Sequence, residues 1–374
     1  MHWLQTFYYY VVPFVVILSL LVFVHELGHY LVARWNKVKV EVFSIGFGKE
    51  LIGWTDRAGT RWKISLIPLG GYVRMFSDLN AASQPDMKII RQMTEEEKQG
   101  SLFHKTVWQR ISISAAGPVA NYIFTILIFS ILYGTVGQHL PTNEARIGFV
   151  QTGSPGEKAG LQKGDKVIEV EGKPLDTFQK LVEIVSSSPG KELNLKVLRE
   201  DQEVPLKITV GEDTRQGQKV GKIGVGQGYE VVKRSLLVAP FYATYDAITI
   251  TGKTLYSLGK MITRKIPADG LSGPIGIASM VAKIAEQSWV DLLWLTAFLS
   301  LNLGLINLLP IPMFDGGHLL YYFIEAIRGK PLSDKAQEIG FRIGLSIIIA
   351  LALFATWNDL SRFKFFSAIK NLFS

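Results

Sequence analysis

His25, Glu26 and His29 stand in the order His-Glu-Leu-Gly-His, and that spacing has a direct chemical reading. On an α-helix, positions i and i+4 share a face, so both imidazoles can reach one ion. Glu26, offset by one residue, is left to contact a water held there. Neutral imidazoles suit zinc, and a catalytic zinc takes a third protein ligand while keeping one position open. Such a site brings the pKa of its water toward neutrality, so Glu26 can take the water's proton and pass it to a leaving amide nitrogen. The chain has no cysteine, which excludes Cys-ligated zinc and a disulfide framework. Any ion must be held by histidine and carboxylate.

The third ligand has to come from elsewhere in the chain. From Asn302 to Gly317 the sequence runs Asn-Leu-Gly-Leu-Ile-Asn-Leu-Leu-Pro-Ile-Pro-Met-Phe-Asp-Gly-Gly. Pro310 and Pro312 remove backbone donors and prevent a regular helix, so backbone groups there are free to line a polar cavity. Asp315 is the metal candidate, and Asn302 and Asn307 could hydrogen-bond an unwound substrate. His318 competes with Asp315 as a ligand but falls further past the apolar run. A helix end closed by an Asp-Gly-Gly turn is the non-functional reading of the same stretch.

Elements that could position these residues are apolar. The 374 residues are 48% hydrophobic, and a mean hydropathy of +0.22 is rich for a soluble protein. The formal charge of +8 is spread along the chain, without a basic run interleaved with base-stacking aromatics. It reads as lipid-facing loops, and no nucleic-acid partner is expected. From Trp3 to Ala33 the only ionisable groups besides tyrosine phenols are His25, Glu26 and His29, a stretch ample for the ~20 residues that span a bilayer as a helix. Ionisable groups there are costly unless paired or functional. Further uncharged runs cover Ile111 to Gly137, Leu292 to Phe314 and Ile343 to Trp357. The N-terminus lacks a basic n-region and a small-residue cleavage site, so its apolar stretch is expected to be retained.

The chain is therefore expected to hold a first transmembrane helix over 1–36, a membrane-associated β region over 37–76 and a cytoplasmic loop over 77–109. A second transmembrane helix follows over 110–138, then a small outer domain over 141–228 and amphipathic or interfacial helices over 229–290. A third transmembrane segment occupies 291–318, a cytoplasmic loop 319–339, a fourth transmembrane helix 340–360 and a tail 361–374. Within the β region, Asp-Arg-Ala-Gly at 56–59 reads as a turn between strands. Basic residues follow the first span closely at Arg34, Lys37, Lys39 and Lys49 and none precedes it, which puts the N-terminus outside. Alternation then places the 141–228 domain outside, and places Arg362, Lys364 and Lys370 outside against the same rule.

Together these residues resemble the site-2 protease family, close to the RseP-type regulators of envelope-stress sigma factors. The family's H-E-x-x-H matches His25, Glu26 and His29, and its N-x-x-P-x-P-x-x-D-G matches Asn307, Pro310, Pro312, Asp315 and Gly316. Its Gly-Pro-x-x-Asn element matches Gly117, Pro118 and Asn121. The likeness extends to Gly46-Phe47-Gly48, Pro68-Leu69-Gly70-Gly71-Tyr72 and Gly273-Pro274-Ile275-Gly276. It implies a zinc-dependent intramembrane endopeptidase of the bacterial inner membrane. Its partners would be single-span membrane proteins, such as anti-sigma factors or signal-peptide remnants, already trimmed by an outer-compartment protease. It also implies that a strand of the β region, near Gly70 and Gly71, receives substrate by edge addition.

The outer domain resembles a PDZ module, with Ala159-Gly160-Leu161-Gln-Lys-Gly164-Asp165 before its central hairpin and Arg146-Ile147-Gly148-Phe149 where a carboxylate loop belongs. In this family such modules resemble gates. The expected fold class is thus a polytopic α-helical membrane protein with about four transmembrane helices, a membrane-associated β-sheet and an extracytoplasmic PDZ-like α+β domain. Two other classes fit parts of the pattern. A non-catalytic adaptor would use only the outer domain, and a metal transporter would use intramembrane His and Asp as an ion path.

Overall fold

The structure is a computed structural model that describes residues 2–78, 90, 92–215, 218–268 and 271–362. The basic tail positions Lys364 and Lys370, and most of the stretch from Ala81 to Ile90, lie outside the described residues. The chain forms two compact units: Met1–Phe129, Pro240–Gly252 and Asp269–Ser374 make the first, and Ser130–Ala239 with Lys253–Ala268 the second.

In the first unit α1 spans His2–Trp35. A turn ends it, in which Lys37 adopts a left-handed φ of 58° and Val38 N–H donates to Ala33 O. Strands β1 (Val40–Thr55) and β2 (Arg61–Met75) follow, joined by a turn in which Asp56 accepts from the amides of Ala58 and Thr60. Each strand bends on itself. Val42–Ile45 pair with Gly71–Arg74 on one side and with Arg61–Ile64 on the other, and Ile52–Thr55 pair with Arg61–Ile64. Positive φ at Gly46, Gly48 and Gly70 makes these bends accessible. The outcome is a small folded sheet with residues 71–75 at one edge. Its inner face, with Val40, Phe43, Val73 and Met75, packs on Ala33 and Ile113.

A short helix α2 (Glu95–Gly100) starts at a capping box formed by Thr94 and Glu97. Helix α3 (Val107–Thr135) then runs beside α1. A Cβ on Gly28 would sit 2.3 Å from Ala116 O, so only glycine lets α1 and α3 approach this closely.

The second unit builds on an antiparallel sheet. Its strands are β5 (Lys166–Val170), β6 (Lys173–Pro174), β7 (Glu192–Arg199) and β8 (Gln202–Thr209), in the order β6-β5-β7-β8. Earlier in the chain come β3 (Gln138–Pro141), β4 (Ile147–Val150) and the single-turn α4 (Pro155–Lys158). Helix α5 (Phe178–Ser186), capped by Thr177, lays Leu181 and Val185 on a core with Val167, Val197 and Ile208. Strands β9 (Gly211–Arg215) and β10 (Gln218–Lys222) pair together, β11 (Val225–Gln227) pairs with β4, and β12 (Tyr229–Val232) pairs with β3. The Asp165 carboxylate is buried, and Arg199 donates to both of its oxygens at 2.7 Å. Loss of the arginine would leave a buried charge unpaired.

Helix α6 covers Ala239–Ile262 and shows exposed Phe241, Tyr245 and Tyr256. The helices expected over 229–290 begin later, because Tyr229–Val232 complete a strand opposite Gln138–Pro141. Back in the first unit, α7 (Pro274–Gln287) and α8 (Trp289–Leu308) bury Val281 and Leu295 against Ile17 and Leu21 of α1. The chain breaks at Leu309–Phe314 and resumes as α9 (Asp315–Arg328) and α10 (Asp334–Arg362). Residues 319–328, expected as loop, continue α9. Glu325 packs inward, where it takes a two-pronged ion pair from Arg110 of α3, whose guanidinium also lies 4.9 Å from the Tyr322 ring centre.

Four helical segments among the described residues are long and apolar enough to cross a membrane: Val11–Trp35, Val107–Thr135, Trp289–Leu308 and Lys335–Ser361. The last of these is mostly exposed along its length, with apolar Ile343, Leu351 and Phe354 uncovered. Its attachment to α7 is polar, since the fully buried Asp359 carboxylate accepts from the amides of Gly273 at 3.0 Å and Gly276 at 2.8 Å.

Candidate metal centre

His25 and His29 project from one face of α1, as their spacing requires, and the proline-broken turn before α9 carries Asp315 to them. Asp315 Oδ2 lies 3.1 Å from His25 Nε2 and Oδ1 lies 3.3 Å from His29 Nε2, while the two Nε2 atoms are 3.3 Å apart. All three residues can offer a ligand atom within 4.8 Å of the others. Zinc bonds of ~2.0–2.1 Å in a tetrahedron imply ligand separations of about 3.3 Å, so the donor set is spaced for that ion. Among the described residues it is Asp315, not His318, that is grouped with the two histidines at this spacing.

Hydrogen bonds behind the ligands fit the same assignment. His29 Nδ1 donates to Ile113 O at 2.8 Å, leaving Nε2 with its lone pair toward the centre. His25 Nδ1 meets the Asn121 side-chain amide at 3.2 Å, and Asn121 Oδ1 is buried without a partner. Amide oxygen and nitrogen are assigned from the bonds they make. Turning the Asn121 amide over lets Oδ1 accept from His25 Nδ1–H, which satisfies the orphaned oxygen and frees His25 Nε2 for a metal. Both observations fit zinc. Asn121→Leu should weaken zinc binding about 10–100-fold with the fold retained; competition with a chelating dye measures it, and unchanged affinity contradicts the assignment.

Backbone without side chains makes room for this arrangement. A Cβ on Gly117 would fall 2.2 Å from His29 Nε2 and 2.8 Å from His25 Cε1, and one on Gly71 would strike Ser44 O and Val22 and come within 3.2 Å of Glu26 Cγ. A Cβ on Gly316 would sit 2.2 Å from Leu309 O, so the turn that presents Asp315 closes on itself.

The centre opens into a cavity of about 640 Å³ lined by Glu26, by Gly70 to Val73 of the sheet edge, by Asn307 and His318, and by Ile348 of α10. Glu26, Gly70, Gly71 and Asn307 are thus gathered around the centre. Asn302, Pro310 and Pro312 are not among the lining residues. The Asn302 amide donates to Phe298 O in its own helix, and Pro312 backs onto α10 at Gly344. In the second unit, the groove of about 220 Å³ lies between α5 and residues 220–225. Arg146–Phe149, expected as the carboxylate loop, is occupied by the pairing of β4 with β11.

The model for peptidase family M50 matches residues 13–351. The chain belongs to this family. A protein of Agrobacterium fabrum named as a zinc metalloprotease is 42% identical over 362 residues, covering 94% of this chain and 96% of its own. Metalloprotease MmpA of Caulobacter vibrioides is 37% identical over 387 residues, covering 96% and 97%. The PDZ domain of an SdrC-like protein from Listeria monocytogenes aligns with 24% of this chain and 90% of that domain, at 17% identity and a TM-score of 0.21. This M50 peptidase is a zinc metalloprotease and a membrane protein.

Some contributors to the M50 site carry no signal in the order of residues. Ile113 acts through its carbonyl, and Arg110 with Glu325 ties α9 to α3 across a separation of 215 residues. Asn121 was marked only by the family motif.

Proposed function

We propose that this M50 peptidase cleaves transmembrane segments of single-span proteins within the bilayer, with substrates of the anti-sigma-factor or signal-peptide-remnant type, as a step of regulated intramembrane proteolysis. The observation that carries the reading is the convergence of two histidines of α1, a carboxylate of the broken α8–α9 turn and Glu26 in one cavity walled by apolar helices. Zinc, when bound by His25, His29 and Asp315, supplies the Lewis acidity that makes water a nucleophile at neutral pH and polarises the scissile carbonyl. Glu26 takes the proton of that water and delivers it to the leaving nitrogen.

A helical substrate has its amide carbonyls bonded and shielded, so it must be extended before attack. Residues 71–75 form a sheet edge beside Glu26, and a substrate strand added there trades helical hydrogen bonds for ladder ones. Asn307 lines the same space and can bond a substrate carbonyl. In the inner membrane the N-terminus and the PDZ-like unit would face the periplasm, where that unit excludes substrates with bulky outer domains after an earlier protease has trimmed them.

The test is cleavage by purified protein in proteoliposomes. A single-span reporter with a short outer segment should be cut within its apolar stretch. The same reporter carrying a folded outer domain should be cut much more slowly, and a soluble peptide lacking the span hardly at all. Equal cleavage of the soluble peptide would contradict an intramembrane site.

A further inference from the structure

A second cavity, of about 650 Å³, lies away from the metal centre where α1 ends and α3 begins. Lys37, Lys98, His104 and Lys105 line it together with Gln109, and the sole carboxylate in the lining, Glu95, is paired with Lys98 at 2.6 Å. Neither Lys37 nor Lys105 has an acidic partner among the described residues. Lys105 is partly buried, held by donation from Nζ to Gln99 O. Burial first, and the nearby Lys37 charge second, pull its pKa down. The first turn of α3, capped by Thr106 and Gln109, adds its partial positive charge at the same place.

The setting of this basic cleft identifies what it would meet. It sits at the ends of two candidate spans, Val11–Trp35 and Val107–Thr135, which Asn36 ties together by donating to Ser112 Oγ. Close in the chain to its lining residues Lys37 and Thr106 come Trp35, 84% exposed, Trp108, 65% exposed, and Leu31, 56% exposed. Tryptophans uncovered at the end of an apolar helix belong at the headgroup level, with aliphatic side chains below them against acyl chains. A basic pocket between spans at that depth matches a phosphate carried on a lipid.

We propose that this cleft is a binding site for the phosphate headgroup of an anionic membrane lipid, held by Lys37 and Lys105 with its chains lying along Leu31, Trp35 and Trp108. The proposal rests on the reading that α1 and α3 cross the bilayer. That reading fails separately, if the full chain stays in solution without detergent.

Native mass spectrometry of the detergent-purified, zinc-loaded chain, titrated with phosphatidylglycerol or phosphatidylcholine, tests it. Phosphatidylglycerol should be retained in preference. A Lys37→Gln, Lys105→Gln double variant with unchanged zinc content and melting temperature should lose at least about tenfold in its affinity for that lipid. A Lys330→Gln, Lys335→Gln variant, which removes equal charge from the exposed α9–α10 connection and the first turn of α10, should change less than about twofold. Equal retention of the two lipids, or an equal loss in both double variants, would overturn the proposal. Inorganic phosphate at matched concentration should leave the melting temperature unmoved while phosphatidylglycerol raises it; an equal rise would overturn the lipid as the source of the phosphate.

Discussion

Replacing Glu26 with glutamine should leave zinc bound and remove proteolysis. The substitution keeps side-chain shape and polarity but takes away the basic site, while His25, His29 and Asp315 are untouched. General acid–base help contributes ~10²–10⁴-fold to such steps, so turnover of a single-span reporter should fall by at least that factor. Zinc content of the same preparation should stay near one ion per chain. A variant that retains zinc and still cuts at the wild-type rate would remove Glu26 from the mechanism; one that loses zinc would make it a ligand instead of a base.

The second large effect belongs to a residue with no side chain. Gly117 sits in α3 where a methyl group would lie 2.2 Å from His29 Nε2, a separation that real Cβ atoms do not show. The neighbouring helix cannot easily yield, because Gly28 already holds the backbone of α1 against Ala116 O. Gly117→Ala should therefore rotate the imidazoles off their common point. Zinc affinity should drop ~100-fold or more, at the upper end of what displaced ligand orientation costs. Alanine is a better helix former than glycine by ~1 kcal/mol, so the apo protein should be no less helical. Circular dichroism and zinc titration on one preparation separate the two effects. Zinc binding at wild-type strength would show that the metal lies elsewhere.

How much of this could be read from the order of residues follows from how local each feature is. His25, Glu26 and His29 are legible because four residues of one helix turn carry the whole geometry. Asp315 was legible for a different reason: prolines at 310 and 312 stop a helix beside an acidic residue at the end of an apolar run. The strands of the β region and their turn at 56–59 were legible, whereas the bends that glycines at 46, 48 and 70 permit appear only in the structure. That residues 71–75 form the edge facing Glu26 was only implied by resemblance, since pairing partners are set in space.

The misplacements have the same origin. Residues 319–328 read as a loop because they follow the end of an apolar span, yet they are mostly apolar and stay helical, with Glu325 meeting Arg110 of another helix. Asp359 in the last helix shows no local reason for being there. It is explained by the bare amides of Gly273 and Gly276, glycines whose added Cβ atoms would strike its carboxylate oxygens. Residues 229–232, placed at the start of the amphipathic helices, belong to a strand that His139 and its neighbours complete.

The account stands on one convergence, and anomalous diffraction at the zinc edge from the full-length protein addresses it directly. A single peak is expected within ~2.0–2.2 Å of His25 Nε2, His29 Nε2 and an Asp315 oxygen. A peak bound by His318 in place of Asp315, or one centred away from the two α1 histidines, would contradict it.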